Sequence, residues 1–288
     1  SVLMGLAPRR SSHGSRASGM TGAAVVCAIA AGSPLGSLAL TWGPGVPLQL
    51  AALCAISVSL MALLLLSRAE EPRAKRGSLR SLLSHTPLLR LPTLWIATER
   101  FTVGCFVVTF ALHAHALGAS QAQVGGLFTC FLFPFALATW PMAHLARRLD
   151  RPFVLGIGGV LYGTSFLLMA DADLESLPPI LMLAGISSAA IYAQSLMLAS
   201  SLAPPELGST AMGLTNAGGT LGMLLGTATA GIFTALCVRA GMVRPDAYLW
   251  ILRLAGSVQL LVLLASLSVQ HPSGTRRPSS EYGNEHER

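Results

Sequence analysis

Glu99 and Arg100 stand side by side in the stretch TLWIATERFTVGCFVVTFALHAHAL, and of the twelve acids in the chain Glu99 alone lies inside a long apolar run. A charged side chain at the centre of a bilayer costs about 2.5–3.5 kcal/mol on insertion scales, so such a group faces a cavity or a partner. Two chemistries suit it. A desolvated carboxylate binds a proton and releases it again when water enters, because burial disfavours the charged form. Alternatively the acid forms a fixed or gating ion pair with Arg100. At about 100° per residue, Thr102, Thr109 and His113 fall within about 80° of Glu99 and make a polar stripe, while Arg100 points about 100° away. Adjacent residues do not ordinarily face each other on a helix. His113 is a candidate proton or solute group on the same stripe, or a residue of the outer interface.

A second polar set lies further along the chain. Ser188, Tyr192 and Ser195 recur at i, i+4, i+7, with Ser187 and Gln194 on a neighbouring face, and Asn216 stands in a later apolar stretch. Interhelical hydrogen bonding is the alternative role for all of them. His113 and His115 would point about 160° apart, which is poor metal geometry. Cys27, Cys54, Cys105, Cys130 and Cys237 form no CxxC pair and read as small core residues. No GxGxxG, P-loop, Ser/His/Asp set or intramembrane DxxxD is present, so neither an enzyme nor a cofactor or metal site is expected.

The elements that must position these residues follow from composition. The 288 residues are 52% hydrophobic and only 11% charged, far more apolar than a soluble chain of this size needs. Apolar segments fall near 18–40, 46–67, 91–118, 122–145, 153–170, 178–200, 208–236 and 247–269, each long enough for a bilayer core of about 30 Å. An all-α polytopic membrane protein with eight transmembrane helices is predicted, its surroundings the lipid bilayer. The net charge of +7 sits between these segments rather than on a face with interleaved aromatics, so no nucleic acid partner is expected. Arg9, Arg10 and Arg16, the linker residues Arg68, Arg73, Lys75, Arg76, Arg80 and Arg90, then Arg147, Arg148 and Arg151, and finally Arg276, Arg277 and Arg288 all fall on one side of the eight-segment scheme. The positive-inside rule makes that side the cytoplasm and places both termini there. Asp171, Asp173, Glu175, Arg239, Arg244 and Asp246 fall on the other.

One piece of text occurs twice. GSRASGMTGA at 14–23 follows Leu6-Ala7-Pro8, and GSTAMGLTNA at 208–217 follows Leu202-Ala203-Pro204. The copies introduce the first and seventh segments, six apart and on the same side, so a six-helix unit is repeated. Four further helices are then expected ahead of Ser1. Two parallel six-helix repeats joined by a charged linker resemble the major facilitator superfamily of secondary transporters. The residues that carry the resemblance are LAPRRSSHGSRASGMTGAA, LAPPELGSTAMGLTNAGGTLGMLLG and HLARRLDRP.

The resemblance implies a twelve-helix fold of which this chain supplies eight helices. Residues 1–67 would be the last two helices of the N-terminal half, 68–90 a cytoplasmic linker, 91–270 the complete C-terminal half and 271–288 a polar cytoplasmic tail. It further implies secondary active transport of a small organic solute by alternating access at the plasma (inner) membrane, with proton-coupled efflux as the expected mode. The third, fourth, sixth and seventh segments would line the central cavity, which makes Glu99, Arg100, Thr109, His113, Ser188, Tyr192, Gln194, Ser195 and Asn216 candidate substrate or coupling residues. Arg147, Arg148, Asp150 and Arg151 occupy the family's cytoplasmic loop signature, with Arg147 where an acid is expected. Gly32, Ser33, Pro34, Gly36 and Ser37 keep the small, kinkable character of the antiporter signature. Gly218, Gly222 and Gly226 give two overlapping small-xxx-small steps, suited to close helix contact. The missing four helices could be provided by another chain. A non-transporting membrane scaffold or assembly subunit built on the same fold is the alternative.

The charge pattern sets a test. In a background lacking the native cysteines, single cysteines at positions 80 and 277 should react with an impermeant thiol reagent only from the cytoplasmic side, and those at 173 and 244 only from outside. Labelling of 80 and 173 from one side would remove the eight-segment topology.

Overall fold

In hydrocarbon every backbone N–H and C=O must find an internal partner, which drives apolar stretches of this length into helices. The computed structural model of the chain describes residues 32, 35, 36, 38, 39, 42, 43, 45–66, 87–145, 151–203 and 207–269. Among them are seven α-helices: α1 Val46–Leu66, α2 Arg90–Ala116, α3 Gln121–Leu145, α4 Arg151–Ala170, α5 Leu177–Leu202, α6 Gly208–Arg239 and α7 Arg244–Val269. They match the second to eighth apolar segments to within about three residues at each end. Helices α2 to α7 are long and apolar enough to cross a membrane, whereas α1 carries a shorter apolar stretch, Val46–Met61. Most of the first segment, most of the 68–90 linker, the earlier copy of the repeated text and the tail lie outside the described residues, so seven helices rather than eight are on view.

The helix ends are written locally. Gly118 (φ 92°) and Gly241 (φ 86°) follow α2 and α6 in the left-handed region that only glycine enters without penalty. Each sits in the same cap: Ala119 N–H donates back to Ala114 O at 2.9 Å, and Met242 N–H to Cys237 O at 3.0 Å. Ser120 opens α3 with a capping box, its N–H donating to Gln123 Oε1 (2.8 Å) while Gln123 N–H donates to Ser120 Oγ (3.3 Å). Before α5, Ser176 donates from its backbone N–H to Asp173 Oδ1 at 3.0 Å and also bonds the carboxylate through its hydroxyl. These two bonds hold the Asp173 carboxyl below its ordinary value.

Glycines set the packing. A Cβ at Gly222 would stand 2.0 Å from Ala97 O, one at Gly226 2.0 Å from Phe101 O, and one at Gly218 2.5 Å from the Thr93 methyl. On the facing helix a Cβ at Gly104 would stand 2.4 Å from Met223 O. The register climbs in the same sense on both helices, so α2 and α6 run parallel with their backbones in contact. Helices α3 and α5 form a second parallel pair, in which a Cβ at Gly185 would meet Phe131 O at 2.2 Å. Gly163 and Gly256 let α4 and α7 cross in antiparallel contact. Such interfaces hold helices together where lipid removes the hydrophobic drive, because close backbones gain dispersion contacts. Between the pairs lies an aromatic core of Phe106, Phe110, Phe128, Phe131, Tyr162 and Phe166.

Not every apolar face is covered. Only 17% of the most apolar stretch of α6 is buried, against 67% for α5, and Leu221, Leu225 and Ile232 are exposed. Residues 48–61 of α1 are exposed on all sides.

The glycine contacts predict that Gly222→Ala and Gly226→Ala each lose about 1–3 kcal/mol in equilibrium unfolding of the detergent-solubilised protein, as overpacking does. Gly231→Ala, on the same helix but with open space around the new methyl, should stay within about 0.5 kcal/mol of the parent. Equal effects at the three positions would show that the α2–α6 backbone contact does not hold the bundle.

Candidate functional site: a buried charge pair where four helices meet

Glu99 lies nine residues into α2, about 13 Å along its axis at 1.5 Å per residue, and is completely buried. Its Oε1 accepts a 2.5 Å hydrogen bond from the Ser188 hydroxyl of α5. Its Oε2 lies 3.4 Å from Arg100 Nε, a charge contact without hydrogen-bond alignment. The two neighbours on one helix do meet, although a helical wheel holds them apart. The arginine stem is long enough to bring the guanidinium round the helix to the carboxylate, which a comparison of Cβ directions does not capture.

Arg100 is placed by all the helices around it. Its Cγ would stand 3.3 Å from a Cβ at Gly219, so a larger residue on α6 would press on the stem. Its Cζ lies 4.9 Å from the ring centroid of Tyr192 on α5 and 5.8 Å from that of Phe135 on α3. Cation–π attraction of this kind contributes about 0.5–2 kcal/mol, more as the cation is desolvated. The arginine side chain keeps 24% of its surface exposed while that of its acid partner keeps none. Tyr162 of α4 is fully buried beside Ser188 and Glu99.

The other sequence candidates are dispersed. Thr109 is buried and bonds only the Cys105 carbonyl of its own helix. His113 is buried in the last turn of α2, with neither ring nitrogen partnered, and stands fourteen residues from Glu99, about 21 Å along the axis. Gln194 Nε2 ties α5 to α3 by donating to Met142 O at 3.0 Å, and Ser195 is buried with its hydroxyl unpartnered. Asn216 is half-buried on α6, and its carbonyl accepts from Thr220. Gly218, Gly222 and Gly226 belong to the α2 interface, whereas a Cβ at Gly32 or Gly36 would meet nothing within 4 Å among the described residues. Pro34, Arg147, Arg148, Asp150 and the side chain of Arg151 lie outside the described residues.

Sequence reasoning missed three participants. Phe135 carries no signal that separates it from the other phenylalanines. Tyr162 could have been noticed as a hydroxyl within an otherwise apolar helix. Arg253, on α7, pairs with Asp171 across the α4–α5 turn and lies over the Trp250 ring, a bridge that a scan for acids within segments does not see. A small cavity lined by Trp95, Leu155, Gly159, Ile191, Gln259 and Leu263 was also unforeseen. No cluster of three or more metal-ligating side chains occurs among the described residues.

Six packed apolar helices closing on an ion pair define a multi-pass membrane protein. Residues 96–284, well over half of the chain, match the sequence model of the Major Facilitator Superfamily, and the chain belongs to that family. Its members are membrane transporters and not enzymes.

The pair should be energetically coupled. Removing one partner of a buried ion pair strands the other charge, so Arg100→Gln should lose about 3 kcal/mol in equilibrium unfolding. Addition of Glu99→Gln should restore part of that loss, with an interaction energy above about 1 kcal/mol in the double-mutant cycle. Strict additivity would mean that the two charges do not interact in the folded protein.

Proposed function

We propose that this protein is a secondary transporter that moves a small organic solute by alternating access and couples the movement to protons at Glu99. One observation carries the proposal: a fully buried carboxylate, the only acid in the interior of a membrane-crossing helix among the described residues, is held by the Ser188 hydroxyl of α5 and by Arg100 of its own helix, a side chain that stays partly exposed. Coupling needs a group whose proton affinity changes as the cavity opens to one side or the other, and water entry or withdrawal changes it at such a carboxylate.

In this reading residues 91–270 are the C-terminal six-helix half and 1–67 the last two helices of the other half. The linker 68–90 and the tail 271–288 are cytoplasmic, and the protein sits in the plasma (inner) membrane. The uncovered faces of α6 and α1 suit contact with lipid and with the other half, whose remaining four helices come from the same or another chain. Rocking of the halves around a site near the midplane then exposes it alternately to each side. Ser188, Tyr192 and Arg100 are the contacts that position Glu99 or meet the solute, and His113, Gln194, Ser195 and Asn216 line the path more remotely. The charge pair itself supports the coupling, not the direction.

The test is a flux measurement in proteoliposomes with a pooled set of radiolabelled neutral, cationic and anionic small solutes. Glu99→Gln should abolish accumulation driven by a pH gradient, while solute exchange between the two sides persists. Undiminished accumulation with an unchanged pH profile would reduce Glu99 to a structural residue.

A further inference from the structure

The two members of the charge pair differ in access. The carboxylate is sealed, whereas the guanidinium side chain keeps 24% of its surface open at the junction of α2, α3, α5 and α6. A solute entering that junction therefore meets a positive charge. Tyr192 and Phe135 flank the guanidinium, and its Nε is turned to Glu99. Its two terminal nitrogens form the guanidinium fork, beside which the Tyr192 hydroxyl is a hydrogen-bond partner. That fork is the donor arrangement that matches a carboxylate with two parallel bonds. A cationic solute would be repelled, and a neutral one would leave a charged donor without an acceptor of opposite sign.

We propose that the solute bound here is a small organic anion held at its carboxylate by the terminal nitrogens of Arg100, and that one proton binds Glu99 for each anion taken up. This rests on the transport reading above and names the charge of the cargo. Charge balance carries it. The empty site holds Glu99 as carboxylate and Arg100 as cation, with a net charge of zero. An arriving carboxylate takes Glu99's place as counter-ion, and a proton from water on the open side neutralises Glu99, so the loaded site is again neutral. Both states cross the low-dielectric interior without a net charge, which is the condition a bilayer imposes. Anion binding and Glu99 protonation then reinforce each other reciprocally. The titratable groups facing Glu99 are Arg100 on its own helix, Tyr192 on α5 and Tyr162 on α4; α3, α6 and α7 add none among the described residues. Among the described residues no further charge acts on Glu99 to replace the proton.

The experiment measures equilibrium binding of radiolabelled benzoate to the intact detergent-solubilised protein between about pH 6 and pH 8, with benzamide and benzylammonium as neutral and cationic competitors. Benzoate should bind at least about ten-fold more tightly than either competitor, and more tightly as pH falls. About one proton should be taken up per anion, read with a pH dye in weak buffer. Arg100→Gln should weaken benzoate at least about ten-fold, and Arg100→Lys, which keeps the charge but not the fork, should fall between it and the parent. Glu99→Gln is the sharper variant: by removing the internal counter-ion it should tighten benzoate binding, flatten its pH dependence and abolish the proton uptake. Weaker binding in Glu99→Gln, no benzoate binding by the parent, or binding of benzylammonium or benzamide as tight as that of benzoate overturns the proposal. Glu99-dependent flux of benzylammonium or benzamide in proteoliposomes sinks the anion assignment and leaves proton-coupled transport standing. Benzoate binding with no flux of any solute does the reverse.

Discussion

The contact on which the rest of the structure depends is the backbone-to-backbone approach of α2 and α6. Gly222 and Gly226 lie against the carbonyls of Ala97 and Phe101, where a side chain on either would collide. That contact fixes the rotation of α2 about its own axis, and with it the direction in which Glu99 and Arg100 leave the helix. Gly219, about one turn before Gly222, leaves room for the Arg100 stem. One run of small residues thus performs two tasks, close helix packing and admission of a long charged side chain into an apolar junction.

Around that junction the charge problem is solved by shared neutralisation. Glu99 receives a hydroxyl from α5 and a guanidinium from its own helix, and the guanidinium is flanked by rings from α3 and α5. Each interaction alone is modest. Together they hold an ion pair in a place where an unpaired charge would be expensive. The unequal burial of the two partners makes the acid an internal element and the arginine the face the site presents. Arg253 of α7 and Asp171 of the α4–α5 turn form a second ion pair, and both of those side chains keep substantial exposure, so that pair contributes little of the same constraint.

The helices of the bundle were legible in the sequence because each depends on a local quantity. Apolar length sets where a helix runs, the glycines at 118 and 241 set where it stops, and Ser120 with Gln123 shows where the next begins. Gly218, Gly222 and Gly226 could be read as a contact surface from their spacing alone. The site was only half legible. Glu99 is conspicuous as the acid in an apolar run, and Ser188 and Tyr192 share one helical face, but nothing in their spacing says that this face meets Glu99.

By itself the sequence determined that the chain is a bundle of apolar helices with one intramembrane acid, because helix formation and insertion cost depend on runs of neighbouring residues. Only the tertiary structure decided which groups answer that acid. It brought Ser188 to Glu99 across 89 positions of sequence, turned Arg100 back to its neighbour, added Tyr162 and Phe135, and set His113 apart from the pair. Those outcomes depend on how helices rotate and register against one another. In a bilayer, shape and a few glycines fix that rotation, with no pattern of polarity along the chain to announce it.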